Sequence, residues 1–464
     1  MKTNKQVSRR EFIRVAGALG IVSPILMPSH AWGKKTPPSD RLTMGFIGVG
    51  KQNRYLLGKF LTRDTQVVAV CDVDTTRRES AKKIVEEWYA KKTLAGYKGC
   101  TAYEDFRELL ARQDIDAVCI ASPDHWHAIH VVMAAKAKKD IYCEKPLGNS
   151  VEEVRVVRAN YLKNKDKLAT QVGTQRHEYE NFNRVRELIL DGAIGELTEV
   201  SAWGSRKIPR PGYLPAQGEP PPYFHFDLWL GPSPEHPYNP GYFSGGPGAN
   251  CLSWNMYWDF GSGQIGDMGS HTMDLAWNAL DADLPTSAQA KGDPFNPEVT
   301  PVRLQEDFDI PANDWRGAIR VSWFQGGAMP DSPVGYLNLK GAEIDHGALF
   351  EGTRGALVAG FETRALIPGR NQADLTYYKS RPKEKLLPPL GNFQMQWIKA
   401  CKGNLKTSCN FDYGGKMIEM MLLGLVAYRV GKKVSYDGAT GVTDNPEANA
   451  LLHREYRPGW TLNG

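Results

Sequence analysis

From Leu42 onward, short apolar runs trade places with longer stretches of helical period. Leu42–Ile47 is an apolar β-run that leads into Gly48-Val49-Gly50 and then a helical pattern. "TQVVAVCDVD" (65–74) reads as a second strand and "TTRRESAKKIVEEWYAKK" (75–92) as a helix. "IDAVCIASP" (115–123) and "KDIYCEKP" (139–146) are two more strands, with "HAIHVVMAAKAKK" (127–139) as a helix between them. Strands alternating with helices predict a parallel, doubly wound sheet of the α/β class.

The second half reads differently. "LTEVSAWGSR" (197–206), "RGAIRVSWFQGG" (316–327) and "LFEGTRGALVAGF" (349–361) read as strands. "FQMQWIKACKG" (393–403) and "GGKMIEMMLLGLVAYRVGKK" (414–433) read as closing helices. A stretch over 205–260 is rich in Pro, Gly and aromatic residues. It is too long for an ordinary connection and too aromatic for disorder, which leaves a functional loop. Sugar rings pack their apolar faces on such aromatics, so Tyr213, Tyr223, His225 and Trp258 are substrate-side candidates. Aromatics that merely pin the loop to the core are the equal alternative.

"GQIGDMGSHTMDLAWNAL" (263–280) looks like the start of an amphipathic helix. Asp267, His271, Asp274 and Asn278 fall on one face, and Met268, Thr272, Leu275 and Ala279 on another. Alone, the polar stripe reads as a wetted surface.

Composition places the chain among globular proteins, with 41% hydrophobic and 23% charged residues in 464. The N-terminus changes the picture. "SRREFIR" precedes the apolar run "VAGALGIVSPILMPSHAWG", and Ser29-His30-Ala31 has the small-x-small form of a cleavage site. Arg9-Arg10 followed by Phe12 marks the twin-arginine class, so residues 1–33 are expected to be an export signal, read by the twin-arginine machinery and leading to the periplasm. No Cys follows the apolar run, so no stable membrane anchor is expected. The signal carries Lys2, Lys5, Arg9, Arg10 and Arg14 against Glu11, a net +4 of the chain's +5. The remaining balance of about +1 gives no reason to expect a nucleic-acid partner. The seven cysteines are odd in number and lack a CxxC pair, and Cys71, Cys119 and Cys143 sit in strand-like runs. Buried free thiols fit better than disulfides. No Cys, His and carboxylate set has metal-ligand spacing, so no metal is expected.

Chemistry enters at three places. Gly48 permits a tight turn, and Gly50 lets the backbone approach a pyrophosphate at the next helix's N-terminus. Asn53 stands where a third glycine is usual. Asp72 ends the second strand, where it could bind ribose hydroxyls and so favour NAD; Arg77 and Arg78 leave NADP open. Lys145 and Pro146 end a strand at the carboxyl edge, where such sheets bind ligands.

Together, "GFIGVGKQN", "SPDHWH", "CEKPLGNS" and "GDMGSHTMD" resemble the glucose–fructose oxidoreductase and inositol dehydrogenase family (Gfo/Idh/MocA), over nearly all the mature chain. The resemblance implies an α/β Rossmann domain, expected over 34–168. It also implies an α+β domain with a large, mostly antiparallel sheet, expected over 169–464. It implies that Gly48, Gly50, Lys51, Gln52, Asn53, Asp72, Ser122, Pro123, His127 and Glu144 bind the nicotinamide cofactor. Lys145 looks like the family's substrate-binding lysine, and Asp267 and His271 like its aspartate–histidine pair. Asp124 stands where the family usually has Asn. In this reading His271 is a base oriented by Asp267, one helical turn away. Arg176 and His177 could also reach the cleft.

The expected function is a nicotinamide-dependent oxidoreductase acting on a sugar or glycoside hydroxyl. An exported enzyme would have to hold and recycle its cofactor internally. The main alternative is an NAD-dependent glycoside hydrolase, and a further one is a carbohydrate-binding protein without catalysis. A homo-oligomer is implied by resemblance only.

Overall fold

The computed structural model describes residues 40–92, 97–204, 211–330, 345–369 and 381–463. Residues 1–39, which include the expected export signal, and residues 205–210 of the aromatic loop lie outside the described residues. Six strands build the first sheet: β1 (Leu42–Ile47), β2 (Thr65–Cys71), β3 (Thr101–Tyr103), β4 (Ala117–Ile120), β5 (Asp140–Cys143) and β6 (Thr170–Val172). Their order is β3-β2-β1-β4-β5-β6 and every pairing is parallel. All four residues of β4 and of β5 are buried, which is why these strands read as unbroken apolar runs. The strand order reverses between β1 and β4, and the carboxyl ends there open a crevice.

The expected boundary at 168 does not close this sheet. Strand β6 lies beyond it. A helix from far along the chain, Phe393–Lys402, also packs against this sheet. Its Trp397 meets Phe60 and Tyr142 edge-on, with ring centroids 5.6 and 5.8 Å apart.

Nine strands build the second sheet: β7 (Leu197–Gly204), β8 (Ser287–Gly292), β9 (Leu304–Ile310), β10 (Ile319–Gln325), β11 (His346–Gly352), β12 (Gly355–Ala359), β13 (Arg364–Pro368), β14 (Val434–Asp437) and β15 (Val442–Thr443). Their order is β13-β12-β11-β7-β10-β9-β8-β14-β15. Only β7 and β10 pair in parallel, so the sheet is mostly antiparallel, as expected. The run 349–361 is a hairpin rather than one strand: Thr353-Arg354 reverse the chain between β11 and β12.

The helix Phe411–Val430 packs against both sheets and is buried almost all round. Asn410 caps it by accepting from the N–H groups of Asp412 and Tyr413. Its Glu419 is fully buried and binds Arg155 at 2.8 Å, Arg158, and the Tyr436 hydroxyl at 2.6 Å. These ties fix it to the helix Val151–Asn164, which opens with a Ser150/Glu153 capping box. All seven cysteines are free, and six are buried. Among the described residues no helix is long and apolar enough to cross a membrane.

Candidate active site

The glycine turn is built from below. Gly48 takes φ +74°, and a Cβ there would lie 2.6 Å from the Ser122 nitrogen. A Cβ on Gly50 would meet nothing within 4 Å, which leaves open space at the N-terminus of the helix Lys51–Leu61. Those free N–H groups favour an anion. Asn53 does not reach that space. It is fully buried, and its amide donates to the carbonyls of Gly48 (2.8 Å) and Ile47 (3.1 Å) while its oxygen accepts from the Cys119 thiol. Its place in the cofactor set is therefore corrected: it braces the turn instead of a third glycine.

The two glycines make a separable prediction. Gly50→Val is expected to leave apo stability unchanged while abolishing dinucleotide binding. Gly48→Ala is expected to destabilise the fold itself by about 1–3 kcal/mol. Thermal melts and a nucleotide titration on both variants check this.

Asp72 ends β2 with its carboxylate accepting from the N–H groups of Val49 (2.8 Å) and Asp74 (3.0 Å). Arg77 is occupied by Asp74 and by the carbonyls of Phe243 and Gly245. Arg78 is occupied by Glu104 and the Asp72 carbonyl. Both arginines thus have protein partners, with the Nη1 of Arg77 left unbonded.

Gly48, Gly50, Lys51, Gln52, Asp72, Ser122, Pro123, His127 and Glu144 all line one crevice of about 590 Å³. Lys145, Asp267 and His271 line the same crevice. Lys145 Nζ donates to Asp267 Oδ1 at 2.7 Å, with side chains only 14% and 9% exposed. Burial alone would lower the Lys145 pKa, but the Asp267 and Glu144 carboxylates raise it. Glu144 accepts from the Gln52 amide at 2.9 Å, and burial pushes its carboxyl up to about 7. His127 places its ring nitrogens on the carbonyls of Pro146 (2.6 Å) and Ser122 (2.8 Å), and burial lowers it to about 4. A neutral ring donates to only one of them.

The helix bearing His271 differs from expectation in two ways. Residues Ile265–Gly269 form a π-helical turn before the regular helix Ser270–Leu280, so the i, i+4 register breaks between Asp267 and His271. The stripe is also not wetted: Asp267, His271 and Asp274 are all buried. His271 Nδ1 is buried with no hydrogen-bond partner, and Asp267 reaches Lys145. The expected orienting of His271 by Asp267 is corrected accordingly. Burial, with Lys145 and Arg176 adding to it, holds His271 well below the ordinary imidazole range and therefore neutral.

Asp274 leaves the crevice altogether. It accepts from His177 Nδ1 at 2.9 Å and from the Tyr413 hydroxyl at 2.7 Å, with Cys409 close by. This pairing ties the crevice helix to Gln175–Glu178, whose Gln175 and Arg176 line the crevice. Sequence spacing could not reveal it, because the partners come from three distant segments.

The aromatic loop folds on its own small core of Phe224, Phe226, Trp229, Tyr242, Trp254, Tyr257 and Phe260. It binds the first sheet through Thr75 N–H to the Tyr223 carbonyl (2.8 Å) and His225 N–H to the Val73 carbonyl (3.0 Å). Trp126 Nε1 donates to the Trp229 carbonyl at 3.0 Å. The four substrate candidates do not line the crevice. Tyr213 is bound to Asp259, Tyr223 and His225 are exposed, and Trp258 donates to the Asn296 carbonyl. Phe224, Leu228, Trp229, Phe243 and Trp254 line it instead. Composition located the loop but not which ring faces inward.

Residues 42–173 match the oxidoreductase family with an NAD-binding Rossmann fold, and residues 212–308 match that family's C-terminal alpha/beta domain. A glycosyl hydrolase family 109 protein of Shewanella sp. (strain ANA-3) is 32% identical over 36% of this chain and 35% of its own. An inositol 2-dehydrogenase of Rubrobacter xylanophilus is 30% identical over 38% and 47%. The matched stretch thus spans less than half of either relative. In fold, the chain is similar to the WlbA dehydrogenase from Bordetella pertussis, solved in complex with NADH and UDP-GlcNAcA. The TM-score is 0.58 at 13% identity, over 86% of this chain and 99% of that one. With an NAD-binding Rossmann domain and a mostly antiparallel partner sheet, the chain belongs to the Gfo/Idh/MocA family of oxidoreductases.

Proposed function

We propose that this protein is an exported oxidoreductase that acts on a sugar or glycoside hydroxyl with tightly held, internally recycled NAD. The observation that carries the reading is the single crevice shared by the Gly48–Gly50 turn, Asp72, Lys145 and His271. The donor set suits the dinucleotide: Gly50 leaves room for a pyrophosphate, and Asp72 sits at the ribose end. Bound NAD supplies a hydride acceptor and donor. Lys145 hydrogen-bonds the substrate oxygen and stabilises negative charge there. Asp267 keeps that ammonium charged and aimed. His271, held neutral, offers a ring nitrogen as a hydrogen-bond acceptor. The aromatic loop supports retention of the cofactor, because it crosses from Val73 and Thr75 to the crevice wall.

Export is the second half of the reading and rests on the Arg9-Arg10 segment. A periplasm is not expected to offer free nicotinamide, so a recycled cofactor follows. One experiment tests both. Protein recovered from the periplasmic fraction is denatured and its supernatant assayed for NAD(H); close to one equivalent per chain is expected. Protein confined to the cytoplasm would remove the export half. Protein that is empty and does not reload from added NAD would remove the cofactor half.

The similarity to glycosyl hydrolase family 109 proteins favours one second reading, a redox-neutral glycosidase. Release of nitrophenol from a nitrophenyl glycoside without net cofactor change would select it.

A further inference from the structure

Three carboxyl groups meet one lysine in the crevice. Asp267 takes the Lys145 ammonium at 2.7 Å, and Glu144 takes the Gln52 amide at 2.9 Å. Asp124, the first residue of the helix Asp124–Lys136, takes the Asn255 amide at 3.0 Å and a hydrogen bond from the Ser262 N–H. Asp124 lines the crevice and is 3% exposed. The one ammonium, Lys145, is hydrogen-bonded to Asp267, and a single cation with a neutral amide and one backbone N–H does not balance three full negative charges at such a place. The remaining charged or titratable groups near Lys145 and His271 are His127, neutral between two carbonyls, Arg176, which lies over the Phe361 ring, and His346, which stacks on that ring with centroids 6.3 Å apart. The reading above gives tasks to Lys145, Asp267 and His271 and none to Asp124.

We propose that Asp124 is a catalytic residue, an un-ionised carboxylic acid that gives its proton to the carbonyl oxygen of a bound keto-sugar. This rests on the oxidoreductase reading. When the carbonyl is reduced, its carbon gains a hydride originating from the reduced dinucleotide, and the C=O π pair moves to oxygen. That oxygen takes the Asp124 proton, which leaves a hydroxyl and a carboxylate. In the oxidising direction the same carboxylate takes the hydroxyl proton back, as microscopic reversibility requires. Burial, opposed by Lys145 and reinforced by Asp267, holds the Asp124 carboxyl well above the usual carboxylate range, which favours the proton-bearing form. His271 is shifted the other way, and the Lys145 ammonium, its pKa raised by Asp267 and Glu144, stabilises charge on the substrate oxygen while keeping its own proton.

Asp124→Asn keeps one acceptor oxygen of similar shape and has no acidic proton to transfer; Asp124→Ala keeps neither. The test uses Asp124→Asn and Asp124→Ala in the full chain, each first checked for retained NAD(H). The infrared difference spectrum of wild type minus Asp124→Asn, at neutral pH and without substrate, is expected to show a protonated carboxylic acid band that shifts in deuterated water. A carboxylate band in its place overturns the proposal. For reduction of a keto-sugar with NADH, kcat of Asp124→Asn is expected to fall by roughly 10²–10⁴-fold with KM nearly unchanged. The decline of wild-type kcat at high pH is expected to vanish as well. An Asp124→Asn enzyme with wild-type kcat and pH profile overturns this step alone. A wild-type protein that reduces no sugar carbonyl overturns the oxidoreductase reading and this step together.

Discussion

Lys145→Met is expected to reduce turnover by roughly 10²–10³-fold, the range for loss of one donor that stabilises charge on a reacting oxygen. It is also expected to cost stability, because the Asp267 carboxylate stays behind, 7% exposed and without its ammonium. Breaking a buried pair from one side typically costs about 3–5 kcal/mol. The two effects are separable. In the double variant Lys145→Met/Asp267→Asn no charge is stranded, so the urea midpoint is expected to return most of the way to wild type. Turnover is expected to stay low, because the group that stabilises substrate oxygen is still missing. If the double variant regained activity with its stability, Lys145 would be a structural ion-pair partner only. Coupling between the two sites, read from the four-protein cycle, measures the pair directly.

The second large effect is expected far from the crevice. Glu419→Leu leaves Arg155 and Arg158 facing each other without their shared carboxylate, and removes the acceptor of the Tyr436 hydroxyl. A loss of about 3–5 kcal/mol is expected, seen as a lower urea midpoint. Per folded molecule at low temperature, turnover is expected to be unchanged. Replacing Glu419, Arg155 and Arg158 together by apolar residues of similar volume is expected to cost less than Glu419→Leu alone, because the one charge left without its partner is Asp412, which is partly exposed to water. A triple variant less stable than the single one would mean that the network contributes more than the removal of stranded charge.

These two cases show where the sequence is readable. Strands β1, β2, β4 and β5 announce themselves because helices cover both their faces, which demands continuous apolar runs. Strand β9 has the alternation of a half-buried strand, with Leu304, Glu306, Phe308 and Ile310 turned inward, yet Glu306 and the intervening Asp307 and Asp309 disguise it. Strand β3 is three residues long, too short for a pattern. At the site, the glycine turn, Asp72 and Lys145 were legible because each is fixed by its place at a strand end. The role of Asp267 was not. Helical spacing pointed it at His271, whereas a π-helical turn and a lysine from another element claim it. Asp274 was lost for the same reason, since burial of a polar stripe depends on partners that only the tertiary fold supplies. In the aromatic loop, every ring packs somewhere, and composition does not say which faces the crevice.

The seating of Trp397 on Phe60 and Tyr142 bears on how this chain is made. A ribosome releases residues 42–172 long before it releases Phe393–Lys402. Until then, one side of the first sheet shows an aromatic cluster to water. The amino-terminal half is therefore not expected to mature while synthesis continues, and its isolated fragment is expected to aggregate. Completion waits for the late helix, which makes the last stage of synthesis the moment at which this face of the first sheet is covered.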